Sequence, residues 1–233
     1  MDLTRLLGDP GAVRARYQPI VSVASRLPVA YEALLDVPGA DPAAVFAAAA
    51  AAGRLAELDS LAREAAIRDA AGWLGTAVLF LKLTAAPGDL AGDWLASVRS
   101  VAVEAGVPMG QLVLEVVQPG PGETLERAAR IAIRCRGAGC GVALVAAGDA
   151  VVTRSLVGAL LPDYVTLDRA VVARLPDPEA ARLAEDVVVA AEAGGARVIA
   201  FGVETEEQAA AVRALGVPWA QGWLFGRPAP PGG

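Results

Sequence analysis

At 233 residues the chain can form one large domain or two small ones, and its 55% hydrophobic content is enough for a sizeable core. Twenty basic residues against 26 acidic ones give a net charge of −6 and a pI near 4.8. That balance excludes a general nucleic-acid-binding surface and adhesion to anionic membranes.

The N-terminal stretch MDLTRLLGDPGAVRAR has no long apolar core behind a basic start, so it does not read as a secretory leader, and a cytoplasmic location is expected. The first two strands are expected at RYQPIVSV (16–23) and PVAYEALLDV (28–37). Only ASRL (24–27) separates them, too short for a crossover helix, so they should pair antiparallel. A helical stretch follows over 42–72; its run AAVFAAAAAAG (43–53) is too short to span a membrane. Strands are then expected at TAVLFLKLT (76–84), QLVLEVVQ (111–118) and GVALVAA (141–147), with helices over 89–105, 122–137 and 151–160. The last three strands read as DYVTLDRAVV (163–172), ARVIAFGV (196–203) and VPWAQGWLF (217–225), with helices over 177–193 and 205–215. Thr205, three residues before Gln208, fits a capping box opening the last of these helices.

Apolar strands alternating with helices point to a buried, mostly parallel sheet. Eight strands with no low-complexity linker favour one α/β domain over 1–233, with a core over about 15–230: a closed, TIM-like (β/α)8 barrel whose first strand is antiparallel. Chemistry in such a barrel sits at the C-terminal ends of the strands.

The two cysteines, Cys135 and Cys140, stand four residues apart with no further Cys and no His in the chain, which argues against zinc and for ordinary semi-buried thiols. Absence of histidine also excludes Ser-His and Cys-His nucleophiles. Lys82 is the one lysine among 20 basic residues, and it stands inside an apolar strand. A buried ammonium there needs partners.

Six stretches, in order, resemble the EAL-domain family of bacterial phosphodiesterases that hydrolyse cyclic di-GMP. They are YQPIV (17–21), YEALL (31–35), LVLEV (112–116), DYVTLDR (163–169), GVETEEQ (202–208) and QGWLFGRP (221–228). The resemblance implies an EAL-type (β/α)8 barrel with an antiparallel first strand, and a site for two divalent cations built from hard oxygen ligands. Glu32 and Glu115 match two family ligands. The family asparagine falls on Lys82, the paired aspartates on Val145 and Ala146, the lysine on Thr166 and a glutamate on Phe201. The substrate-binding arginine after EALL falls on Asp36, which would repel phosphate, and a threonine and a loop-positioning glutamate fall on Val117 and Gln118. The resemblance therefore implies a degenerate metal site without catalytic residues, metal or other cofactor. In it the Lys82 ammonium replaces the cation, buried between Glu32 and Glu115.

Two roles stay open for that trio: a structural ion cluster, or one that also touches a ligand. Ligand-facing candidates by resemblance are Gln18, Leu34, Asp168, Glu204, Gln221 and Arg227. Glu204 also suits a helix N-terminus, and Asp168 with Arg169 could pair to hold a strand end. Trp219 and Trp223 read as packing residues. The expected function is an inactive EAL-like regulator acting through a protein partner; the alternative is a metal-independent receptor for cyclic di-GMP or another small ligand. No nucleic-acid polymer or membrane is expected as a partner, and a homodimer is a family-level expectation.

Overall fold

The computed structural model describes residues 3–84, 93–117, 125–145 and 150–232. Among them, eight strands close into a barrel in chain order. They are β1 (Arg14–Ser22), β2 (Pro28–Asp36), β3 (Val78–Leu83), β4 (Leu112–Val117), β5 (Gly141–Val145), β6 (Tyr164–Leu167), β7 (Arg197–Phe201) and β8 (Trp219–Gln221). β1 pairs antiparallel with both β2 and β8, and every other pairing is parallel. The four-residue ASRL connection has the effect its length dictates.

The helices begin with α1 (Leu3–Gly8), α2 (Pro42–Ala51), α3 (Leu55–Ala70), α4 (Trp94–Ala105) and α5 (Leu125–Gly137). They continue with α6 (Ala150–Leu160), α7 (Arg169–Val172), α8 (Pro178–Ala193) and α9 (Glu206–Ala214). The single helix expected over 42–72 is two, because Gly53 turns the chain at φ +66°. The strand expected over 163–172 stops at Leu167, where Asp168 caps α7 by accepting from the Ala170 amide at 2.6 Å. The capping box forms as read: Thr205 Oγ1 accepts from Gln208 N, and Gln208 Oε1 accepts from Thr205 N, both at 3.1 Å. Parts of two expected strands, 118 and 146–147, lie outside the described residues.

Strand alternation divides the apolar residues into two cores. On β3, Leu79, Leu81 and Leu83 face the helix layer, while Phe80 faces the lumen with Ile20, Ala30, Val113, Ala143 and Ile199. Below them Tyr164 stacks on Trp219 at 5.3 Å, Phe80 meets Tyr164 edge-on, and Arg197 lies 4.6 Å over the Trp219 ring. These groups close the barrel floor and make Trp219 the packing residue it was expected to be. At the mouth, Tyr17 and Ala229 exchange two backbone hydrogen bonds, tying the end of the chain to β1. No helix among the described residues is long and apolar enough to cross a membrane.

Candidate functional site at the barrel mouth

Residues two apart on a strand share a face. The lumen-facing positions above Ala30, Phe80, Val113, Ala143, Tyr164, Ile199 and Trp219 are therefore Glu32, Lys82, Glu115, Val145, Thr166, Phe201 and Gln221. The topology brings together at the C-terminal strand ends the positions singled out in sequence. Ala146 and Gln118 lie outside the described residues, as does the side chain of Val117.

Glu32 is the hub. Its Oε1 stands 2.7 Å from Lys82 Nζ, and its Oε2 accepts from Gln221 Nε2 at 2.8 Å. Both Glu32 and Gln221 are buried. Gln221 is held in place by a close approach of β7 and β8: a Cβ on Gly222 would stand 1.9 Å from the Val203 carbonyl oxygen. The Glu115 carboxyl is fully buried, and among the described residues neither oxygen has a hydrogen-bond partner. Burial first, then the charge of Glu32, pushes its pKa up to about 8 against the opposing pull of Lys82. It is chiefly a neutral acid at pH 7.

Lys82 departs from expectation. It contacts Glu32 but makes no salt bridge with Glu115, and its side chain is 47% exposed. It is the last lumen-facing residue of β3, and its ammonium stays partly in water while neutralising one carboxylate. Burial lowers its pKa, but Glu32 and Glu115 outweigh that and hold it above the ordinary lysine value. The expected buried trio is a pair plus a protonated acid, because protonation removes the repulsion that a second ion contact would have offset.

Gln18 Nε2 donates to the Gly226 carbonyl at 3.0 Å. The Thr166 hydroxyl donates to Leu144 O at 3.5 Å, Val145 is half-buried, and Phe201 packs down on the inner apolar layer. Asp36 is partly offset by Arg16, whose Nε is 3.5 Å away. Arg169 pairs with Glu204 at 2.7 Å, across to the end of β7, and not with Asp168. Leu34 lines a side cavity together with Lys82. Among the described residues, no three Asp, Glu or Cys side chains converge as a metal-ligating group.

Two features were missed in sequence. Trp223 is half-exposed and packs at the rim, as expected of it, but under the guanidinium groups of Arg227 and Arg169 at 4.2 and 5.6 Å from its ring, contacts the sequence reading lacked. The aromatic–arginine proximity of Trp223 and Arg227 was the available signal. Asp59 and Arg63 form a buried ion pair on α3, visible in sequence only as a four-residue spacing.

The EAL domain family matches residues 2–228. An uncharacterized protein of Azorhizobium caulinodans is 30% identical over 232 residues, which cover 94% of this chain and 32% of that one. The cyclic di-GMP phosphodiesterase RocR of Pseudomonas aeruginosa is 28% identical over 139 residues, 58% of this chain and 34% of RocR. The chain thus spans about a third of the length of these curated relatives. Among solved structures, the PaMucR phosphodiesterase in complex with c-di-GMP shares the fold at a TM-score of 0.85 and 23% identity, over 99% of this chain and 98% of that one. Klebsiella pneumoniae BlrP1, with manganese and cyclic di-GMP, aligns at 0.84 and 27% identity, over 94% and 56%.

Proposed function

This chain belongs to the EAL domain family, and from that premise we propose that it is a non-hydrolytic member acting as a regulatory protein through contacts with a protein partner. The reading is carried by the 2.7 Å contact of the Lys82 ammonium with Glu32. Two-metal hydrolysis needs several unprotonated oxygen ligands around paired cations. Here one carboxylate is engaged by an ammonium and an amide, and the neighbouring lumen-facing positions Val145, Thr166 and Phe201 supply no further carboxylate. These donors do not fit two divalent cations, and no hydrolytic step follows from them. Exposed Val103, Ile133 and Val189 on α4, α5 and α8 offer apolar footholds to a partner surface.

The second reading, a metal-independent receptor for cyclic di-GMP, is favoured by one observation: the half-exposed Trp223 face flanked by Arg169 and Arg227 suits a planar anion. The PaMucR and BlrP1 structures hold that nucleotide.

Purified protein with Mg2+ or Mn2+ is expected to leave cyclic di-GMP intact. Turnover that vanishes in Glu32→Gln would overturn the proposal. Calorimetry with the nucleotide, with and without Mg2+, separates the two readings: heat that is independent of Mg2+ and lost in Trp223→Ala supports the receptor.

A further inference from the structure

Charge is unevenly spread over the helix layer. On α8, Glu179, Glu185, Asp186 and Glu192 stand against one arginine, whereas the sequences of α5 and α6 hold five arginines and a single glutamate. In a chain of net charge −6 this makes a local basic face. The two helices return from the parallel strands β4 and β5, so they pack side by side and run in the same direction. Arg136 of α5 ties their ends together, its Nη1 donating to the carbonyls of Leu160 and, at 3.1 Å, Leu161.

Arg130, Ile133 and Arg134 are three and four residues apart and share the outer face of α5; Arg154 and Gly158 do the same on α6, which Leu161 closes. Arg134 is engaged by Asp93 at 2.9 Å. Arg130 and Arg154 are exposed and make no ion pair among the described residues. Between these cations stand two large apolar side chains, Ile133 at 61% exposure and Leu161 at 58%.

Two features of this face bring no benefit inside the fold. Leu161 adopts φ +47°, a left-handed conformation that glycine or asparagine takes at lower cost, and its side chain stands in water. Gly158 occupies a helix interior, where alanine is preferred, with nothing within 4 Å of its Cβ position. An apolar side chain held outward beside an open notch is what a docked chain uses: one supplies contact area, the other lets it approach closely.

We propose that the α5–α6 face is a docking surface for an acidic amphipathic helix of a protein partner. The helix lies over Gly158 with its apolar side on Ile133 and Leu161, and its carboxylates meet Arg130 and Arg154. This rests on the regulatory reading above and names the surface and the chemistry of the partner. Charge selects the occupant: a second copy docked here about a two-fold axis would bring two sets of unpaired arginines together, whereas an acidic partner neutralises them. A third helix laid along two parallel ones suits the ridged surface that they present.

The test uses a synthetic amphipathic peptide of about 18 residues, leucine on one side and glutamate on the other, with a control in which serine replaces leucine. In calorimetry on the whole chain, the leucine peptide is expected to bind at least about tenfold more tightly than the serine control, and more weakly as salt is raised. Arg130→Glu with Arg154→Glu should abolish binding. Ile133→Gln with Leu161→Asn should do so too while the melting temperature holds or rises, since asparagine suits the left-handed position. No binding, equal binding of the two peptides, or binding unchanged in both double variants overturns the proposal. A dimer that is lost on Arg130→Glu with Arg154→Glu gives the face to a second copy and overturns it as well. Cyclic di-GMP is followed in the same samples: turnover overturns the regulatory reading whether or not the peptide binds, and intact nucleotide without peptide binding overturns this surface alone.

Discussion

Glu115 shows how one buried group sets a pH response. Its carboxyl titrates near 4.3 in an unfolded chain and at about 8 in the fold. Between those values the folded state holds one proton more than the unfolded state, so stability falls as pH rises through the window and levels off above it. The melting temperature is therefore expected to drop between pH 5 and pH 9, and Glu115→Gln should flatten that slope. Parallel curves for the two proteins would mean that Glu115 is ionised throughout. Lys82→Met should steepen the slope, because the lost cation leaves buried Glu32 uncompensated and pushes Glu115 further up. Its cost at neutral pH should be about 1–3 kcal/mol, in the range for an unsatisfied buried charged group. That is below the 3–5 kcal/mol of a fully buried pair, since Lys82 is half in water. The identity of this pairing was legible in the sequence, because an isolated lysine in an apolar strand needs an acid. Its depth was not, because depth depends on where β3 ends relative to the rim. The Arg63–Asp59 pair was illegible for a different reason: acid and base four residues apart on a helix usually mark a solvated face.

Among the elements, the β7–β8 seam is the most exacting. Gly222 leaves room for the Val203 carbonyl, and the backbone pairs across the seam through Val203 N to Gln221 O at 3.0 Å. Gly222→Ala is expected to cost about 2–4 kcal/mol through this backbone clash. Gly158→Ala, in α6 with nothing near its Cβ position, should be neutral or stabilising. Urea midpoints of the two variants would check both, and equal midpoints would show that the seam gives way. Strand order was readable from runs of apolar residues, since a strand buried on both faces carries few polar interruptions. Element ends were less so. An alanine-rich stretch hides the α2–α3 break because alanine suits a helix wherever it falls, and only Gly53 marks the turn. The β6 end was missed because the apolar pair Val171–Val172 continues the pattern into α7, while the decisive signal was Asp168 as a cap.

At the scale of the molecule, barrel closure was legible from the count of strands and the short first connection. The plugged floor was not, because Phe80, Tyr164, Arg197 and Trp219 come from four distant strands and meet only on closure. The backbone pairing of Tyr17 with Ala229 has a further topological meaning. Because β1 runs against its neighbours, its first residues lie at the mouth, where the last residues also arrive; Gly11 and Val13 share a cleft with Pro230 and Pro231. The linear order of the chain is thus one choice among rotations of a circle. A permutant with its ends joined by a short glycine linker and reopened at exposed Ser25, so that β1 follows β8, should close the same barrel and melt within a few degrees of the parent. Failure to fold would show that β1 has to be present before the remaining strands can assemble on it.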